Sequence, residues 1–307
     1  MSILKVYKTF NEISILFLKE RNISLKYRTY KGYVGRINLF NIYLKNNKLD
    51  TIPLRKLSNV DISNFFVYLI KDRNLDKPTC QKYYITLTKV WKYAIKLNEY
   101  NKQELPFNLV VFPNKKGDFS PDLIPKNIFN ILINDIKRND YELYVAAMIQ
   151  YYAFIRPNCE LRKLKTDDFD FVKNTIKVSE TIAKTKVTRY VTITIELLEI
   201  LLEYGIKDAP KNKYIFGKKH RFDDSYIGIN NFSYRFRYFR KKHNLDIKVK
   251  FYSFKHTGIT DMLNSGVPLI SVQWQAGHFR LSSTQHYAKK YGDTTDINII
   301  NYKRPIK

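Results

Sequence analysis

Between Tyr252 and Tyr287 the chain gathers side chains suited to chemistry at a phosphate. Lys255 and His256 stand side by side, His278 follows Gly277, and Tyr287 comes nine residues after His278. A phosphodiester under attack builds charge on its non-bridging oxygens, and without a metal that charge must be taken by fixed cations and imidazoles. Three short helices are predicted to carry this set: one opens near Tyr252–Ser253 and stops before Ser265-Gly266, a second starts at Val267-Pro268, and a third starts at Leu281–Ser282. Gly266 supplies the stop and Pro268 the next start. Lys255 and His256 then fall in the first helix, His278 in a turn, and Tyr287 inside the third.

Order and spacing here resemble the C-terminal signature of the tyrosine recombinases, the phage-integrase family: a His-x-x-Arg-His block, a Gly-His pair, and a Tyr nine residues after that second His. The block reads Tyr252-Ser253-Phe254-Lys255-His256, the pair is Gly277-His278, and Ser282-Ser283-Thr284-Gln285 lies inside the final frame. The resemblance implies that Tyr287 is the nucleophile and that His278 hydrogen-bonds the scissile phosphate. Tyr291 lies one helical turn on, and the spacing from His278 selects Tyr287. Within the block, Tyr252 stands where the family usually has His or Lys, and Lys255 where it has Arg. Lys255 keeps the charge and loses the bidentate fork; His256 remains, and Arg280 is a candidate for a second guanidinium.

Upstream, Phe154-Ile155-Arg156-Pro157-Asn158-Cys159-Glu160-Leu161 resembles the family's first-arginine box, in which Gly-x-Arg precedes a Glu-Leu pair. A planar guanidinium at Arg156 can hold two phosphate oxygens at once. Phe154 takes the place of the common small residue. Lys184, in the turn before a strand-like run, matches the family's hairpin lysine, which is thought to protonate the leaving 5′-hydroxyl. Lys186 is the alternative, because hairpin length varies.

The elements that must position these groups follow from periodicity. Residues 3–20 (Val6, Phe10, Ile13, Phe17) and 28–45 read as amphipathic helices, a third is capped near Asn59 or Asp61, and a fourth opens at Pro78-Thr79. They make a four-helix unit that resembles the family's core-binding domain. Pro113, Gly117 and Pro121 mark a linker, which gives a helical core-binding, DNA-binding domain over 1–112, a linker over 113–120 and a catalytic domain over 121–307. Beyond the linker, helices are expected at 125–138 and 140–155 and a short one at Asn158–Leu164. Strand-like runs at Asp168–Val172, Thr175–Ser179 and Arg189–Thr194 precede helices at 195–204 and 229–243. The fold expected is mainly α with a small three-stranded antiparallel sheet.

Composition bounds the partners. The net charge is +26, and residues 1–110 hold 20 Lys/Arg against 8 Asp/Glu while the remainder hold 34 against 20, so both halves face a polyanion. Nucleic acid is the default partner of a folded chain this basic. No apolar run approaches the roughly 20 residues of a membrane span, so a soluble, cytosolic protein is expected. Cys80 and Cys159 are isolated and sit in no metal-ligand spacing, which leaves them as small apolar fillers.

By resemblance the chain is a site-specific tyrosine recombinase that clamps duplex DNA and forms a 3′-phosphotyrosyl link. That bond conserves the phosphodiester's energy, so no nucleotide cofactor and no metal are expected. Synapsis would use four protomers, with the segment Asp296–Tyr302 docking on a neighbour. A type IB topoisomerase, or a non-catalytic DNA clamp of the same fold, are the alternatives.

Overall fold

The computed structural model of the chain describes residues 7–100, 105–113 and 122–291, with side chains to Tyr287 in the last stretch. Val6, most of the expected linker, the side chain of Tyr291 and the expected docking segment Asp296–Tyr302 lie outside these. The chain forms two compact units, residues 1–119 and 120–307.

The first unit holds α1 (Phe10–Ser24), α2 (Tyr27–Asn46), α3 (Asn59–Lys71) and α4 (Lys77–Lys96). Each start except that of α2 is set by a side-chain cap. Thr9 and Glu12 form a capping box, so α1 begins at Phe10 rather than at residue 3. Ser58 caps α3, next to the expected position near Asn59 or Asp61, with Asp61 as its reciprocal partner. Asp76 opens α4 ahead of Pro78, which sits in the first turn where its missing N–H leaves no bond unmade. Phe10, Phe17, Phe40, Phe65 and Trp91 are fully buried between the helices, and Phe10 meets Phe40 edge to face at 4.6 Å.

The second unit runs α5 (Lys126–Asn139), α6 (Tyr141–Ala153), β1 (Phe169–Asp170), β2 (Thr175–Val178), β3 (Arg189–Thr192), α7 (Ile195–Glu203), α8 (Asn231–Lys242), α9 (Ser253–Asn264), α10 (Leu269–Ala276) and α11 (Leu281–Tyr291). The sheet is antiparallel in the order β1-β2-β3, with Ile176 opposite Val191. Several expected elements are shorter than their apolar patterns, three of them for a visible reason. The helix at Asn158–Leu164 is a turn followed by one 3-10 turn, Leu161–Lys163. β1 ends early because the Asp170 carboxylate accepts from the Val172 and Lys173 N–H groups and bends the chain. β3 stops at Thr192, and Thr194 instead caps α7.

α6 is the hub of this unit: it is buried on nearly every side, and α9 packs along it. Gly258 makes that approach feasible, since a Cβ there would lie 1.9 Å from the Tyr151 carbonyl oxygen. Gln150 donates to the Phe251 carbonyl at 2.6 Å and the Tyr151 hydroxyl donates to Asp261 at 2.7 Å, so the two helices are also fixed in register. Among the described residues no helix is long and apolar enough to cross a membrane.

Candidate active site

The site is assembled where α6 ends and α9, α10 and α11 close around it. α6 terminates at Phe154, whose backbone is left-handed (φ 54°, ψ 26°). For a residue with a Cβ this conformation costs roughly 1–2 kcal/mol. The ring offsets that by complete burial against Ile259, Val272, Ala276 and Tyr287, where the family's small residue would leave a gap. The sharp turn throws Arg156 out of the helix and toward the Gly277 carbonyl, 3.4 Å away.

Glu160 anchors three separate segments. It is fully buried and accepts from the Arg156 N–H and Nη1 at 3.0 Å each, from the Lys184 N–H at 3.3 Å, and from Arg189 Nη1 and Nη2 at 3.3 and 2.8 Å. Burial alone would raise its pKa, but the two guanidiniums and the backbone donor outweigh it and hold the carboxyl at about 2. The sequence reading placed Glu160 only as part of a motif and missed Arg189 altogether. In the fold Arg189 also packs on Gly277, where a Cβ would come within 2.7 Å of Arg189 Nε. The glycine before His278 is therefore needed for more than its φ of 61°.

Arg156, Lys184, Gly277, His278, Arg280 and Ser283 line an open cleft of about 340 Å³. Lys184 thus reaches the cleft from the hairpin. Lys186 is exposed on the same hairpin, in a left-handed turn with φ 60°, and is not among the lining residues. His278 pairs through Nδ1 with the buried Thr284 hydroxyl at 2.9 Å, which leaves Nε2 for a substrate. Burial first, then Lys255, Arg156, His256 and Arg189, push its pKa down to about 3, so the ring is neutral at working pH.

Tyr287 is 7% exposed. Its ring stacks between His256 and His278, at centroid distances of 5.3 and 6.1 Å, and its hydroxyl is 2.6 Å from His256 Nδ1. Tyr252 sets its ring edge against His256 at 4.8 Å; burial pushes its hydroxyl pKa up, with Arg156 opposing.

Lys255 departs from expectation. It is 0% exposed and donates to the Phe154 and Ala276 carbonyls, at 2.7 and 3.1 Å, rather than facing the cleft. The cause is tertiary: α6 and α10 both end here, and their unsatisfied carbonyls and negative dipole ends converge on one ammonium. Burial lowers its pKa well below the usual lysine value, with Arg156 pushing the same way. Lys255→Met keeps the length of the side chain and orphans both carbonyls. It should destabilise the unit by about 1–3 kcal/mol per carbonyl, read as a lower Tm, and an unchanged Tm would exclude this tie.

Comparison with known proteins gives the class of this two-unit chain: a tyrosine recombinase, a DNA strand-exchange enzyme. The chain belongs to the phage integrase family, which its residues 123–293 match, and residues 9–110 match the phage integrase SAM-like domain. It is a tyrosine recombinase catalysing site-specific DNA recombination. A tyrosine recombinase of Pseudothermotoga lettingae is 25% identical over 265 residues, covering 84% of this chain and 86% of its own. A tyrosine recombinase XerC of Bacillus licheniformis is 26% identical over 289 residues, 91% of each chain. Among solved structures, a lambda integrase tetramer bound to a Holliday junction superposes with a TM-score of 0.76 at 15% identity, over 94% of this chain and 80% of that one. The Tn1549 transposon integrase in complex with transposon right end DNA gives 0.74 at 16%, over 94% and 96%.

Proposed function

We propose that Tyr287 attacks the scissile phosphate and becomes linked to the 3′ side of the break, and that the freed 5′-hydroxyl of a partner strand resolves the link. Arg156 and His278 Nε2 hold the non-bridging oxygens as charge builds on them, and Lys184 protonates the departing 5′-oxygen. Lys255 acts from behind, by fixing the ends of α6 and α10 that carry Arg156 and His278. The observation that carries this reading is the placement of Tyr287 against His278, which itself lines the cleft with Arg156 and Lys184. Exchange keeps the phosphodiester's energy in the phosphotyrosyl bond, so the scheme calls for no nucleotide. The assembly proposed is four protomers on two duplex sites, as the lambda integrase structure on a Holliday junction suggests.

A nicked duplex that loses the short strand beyond the scissile phosphate tests the reading, because cleavage then traps the protein on DNA. A stable adduct at Tyr287 is expected; its absence overturns the proposal. Transfer of the trapped strand to a second duplex separates recombination from simple relaxation.

With a net charge of +26 spread over both units, duplex binding should release many counterions. If about 6 or more phosphates are neutralised, affinity should fall by roughly a thousandfold between about 50 and about 200 mM salt. A flat response would exclude binding of duplex DNA through basic surfaces.

A further inference from the structure

We propose that His256 is the base that takes the proton from Tyr287, and that it does so only when a phosphate occupies the cleft. The inference rests on the reading of Tyr287 as the nucleophile. His256 stands in the first turn of α9, buried, with Nδ1 2.6 Å from the Tyr287 oxygen. This is within direct proton-transfer reach, and the imidazole then carries its own proton on Nε2.

The neighbours are poorly placed or poorly suited for the same task. Tyr252, one helical turn earlier on the same face, is a phenol whose pKa burial raises further. His278 has Nδ1 tied to Thr284 and, with a pKa near 3, is too weak a base. Lys255 spends its ammonium on two carbonyls.

The charges around His256 give the gating. Lys255 lies beside it on α9, Arg156 and Glu160 follow α6 and pair with each other, Arg189 comes from β3 to the same carboxylate, and neutral His278 follows α10. Arg156 and Arg189 share the single Glu160 carboxylate, so the site carries net positive charge until an anion enters the cleft. A phosphate in the cleft supplies the missing negative charge. The phenolic O–H bond then breaks with its proton passing to Nδ1, the tyrosyl oxygen bonds to phosphorus, and the P–O5′ bond breaks as the 5′-oxygen receives a proton from Lys184. In rejoining, the neutral Lys184 amine takes back the proton of the attacking 5′-hydroxyl, the O5′–P bond forms as the tyrosyl O–P bond breaks, and the imidazolium returns its proton to the tyrosyl oxygen.

His256→Asn tests this, because its side-chain carbonyl keeps an acceptor near Nδ1 but cannot take up a proton. The rate of adduct formation would be followed on two nicked duplexes, one normal and one with sulfur bridging at the 5′ position, whose thiolate leaves unprotonated. His256→Asn should lose about a hundredfold or more on both, with DNA affinity retained and with a rate that keeps climbing at alkaline pH. Lys184→Ala should recover on the sulfur substrate alone. Retention of the parent rate by His256→Asn, or its recovery on the sulfur substrate, would overturn the assignment. Should His256→Asn fail to fold, His256→Ala with added imidazole serves: rescue of the rate is expected, and folded protein that imidazole leaves inactive counts against the proposal. If the parent itself forms no adduct at Tyr287, it is the underlying reading that fails.

Discussion

Tyr287→Phe is expected to bind duplex DNA as the parent does and to form no covalent adduct with a nicked duplex. Only the attacking oxygen is removed; the ring that stacks between His256 and His278 stays. The structural penalty includes the buried hydrogen bond to His256, about 1–3 kcal/mol, visible as a modest drop in Tm and far short of unfolding. Tyr291→Phe should leave the adduct largely intact. Survival of the adduct in Tyr287→Phe together with its loss in Tyr291→Phe would shift the nucleophile by one helical turn. Chelators should leave the rate unchanged, and a magnesium requirement for cleavage would contradict catalysis by fixed cations alone.

Glu160→Gln should be the most damaging isosteric change in the second unit. It removes the single carboxylate that Arg156 and Arg189 share, in a site that also encloses Lys255. Removing one partner of a buried ion pair typically costs about 3–5 kcal/mol, because the other charges stay buried without compensation. The loss should shrink when DNA is bound, since a phosphate in the cleft restores negative charge, so the gain in Tm on adding DNA should be larger for the variant than for the parent. Equal gains would separate Glu160 from the phosphate site. The acid response gives a parallel check. With the folded pKa near 2 and the ordinary value at 4.5, the stability contributed by Glu160 is complete above about pH 4.5 and is lost as pH falls toward 2. Glu160→Gln should flatten the stability profile over that window.

Much of the fold was legible because the apolar periods and stop signals are local. Gly266, Pro268 and the Leu281–Ser282 start place α9, α10 and α11 within a residue or two. The start of α1 differs from expectation because an apolar run upstream competed with the capping box that forms at Thr9 and Glu12. In the site, His278 and Tyr287 stand in a fixed spacing within one motif, whereas Lys184 has Lys186 as a rival because hairpin length varies. Arg189 could not be found from spacing, because its partner Glu160 lies 29 residues away with no period linking them. Lys255 is expected at a phosphate because it stands where the family has Arg, and nothing local in the sequence signals that it is fully buried. Its true surroundings are two helix ends that meet only in the folded unit.

The close seating of α9 on α6, which Gly258 permits, also fixes when in its synthesis the chain acquires its chemistry. Arg156 and Glu160 leave the ribosome long before Lys255, His278 and Tyr287, and domains generally fold as units with the N-terminal one first. A nascent chain can therefore complete its basic four-helix unit while the last three helices are still missing. Until they dock, the cleft lacks the tyrosine proposed as its nucleophile, so a chain truncated before α11 is expected to form no covalent adduct with a nicked duplex.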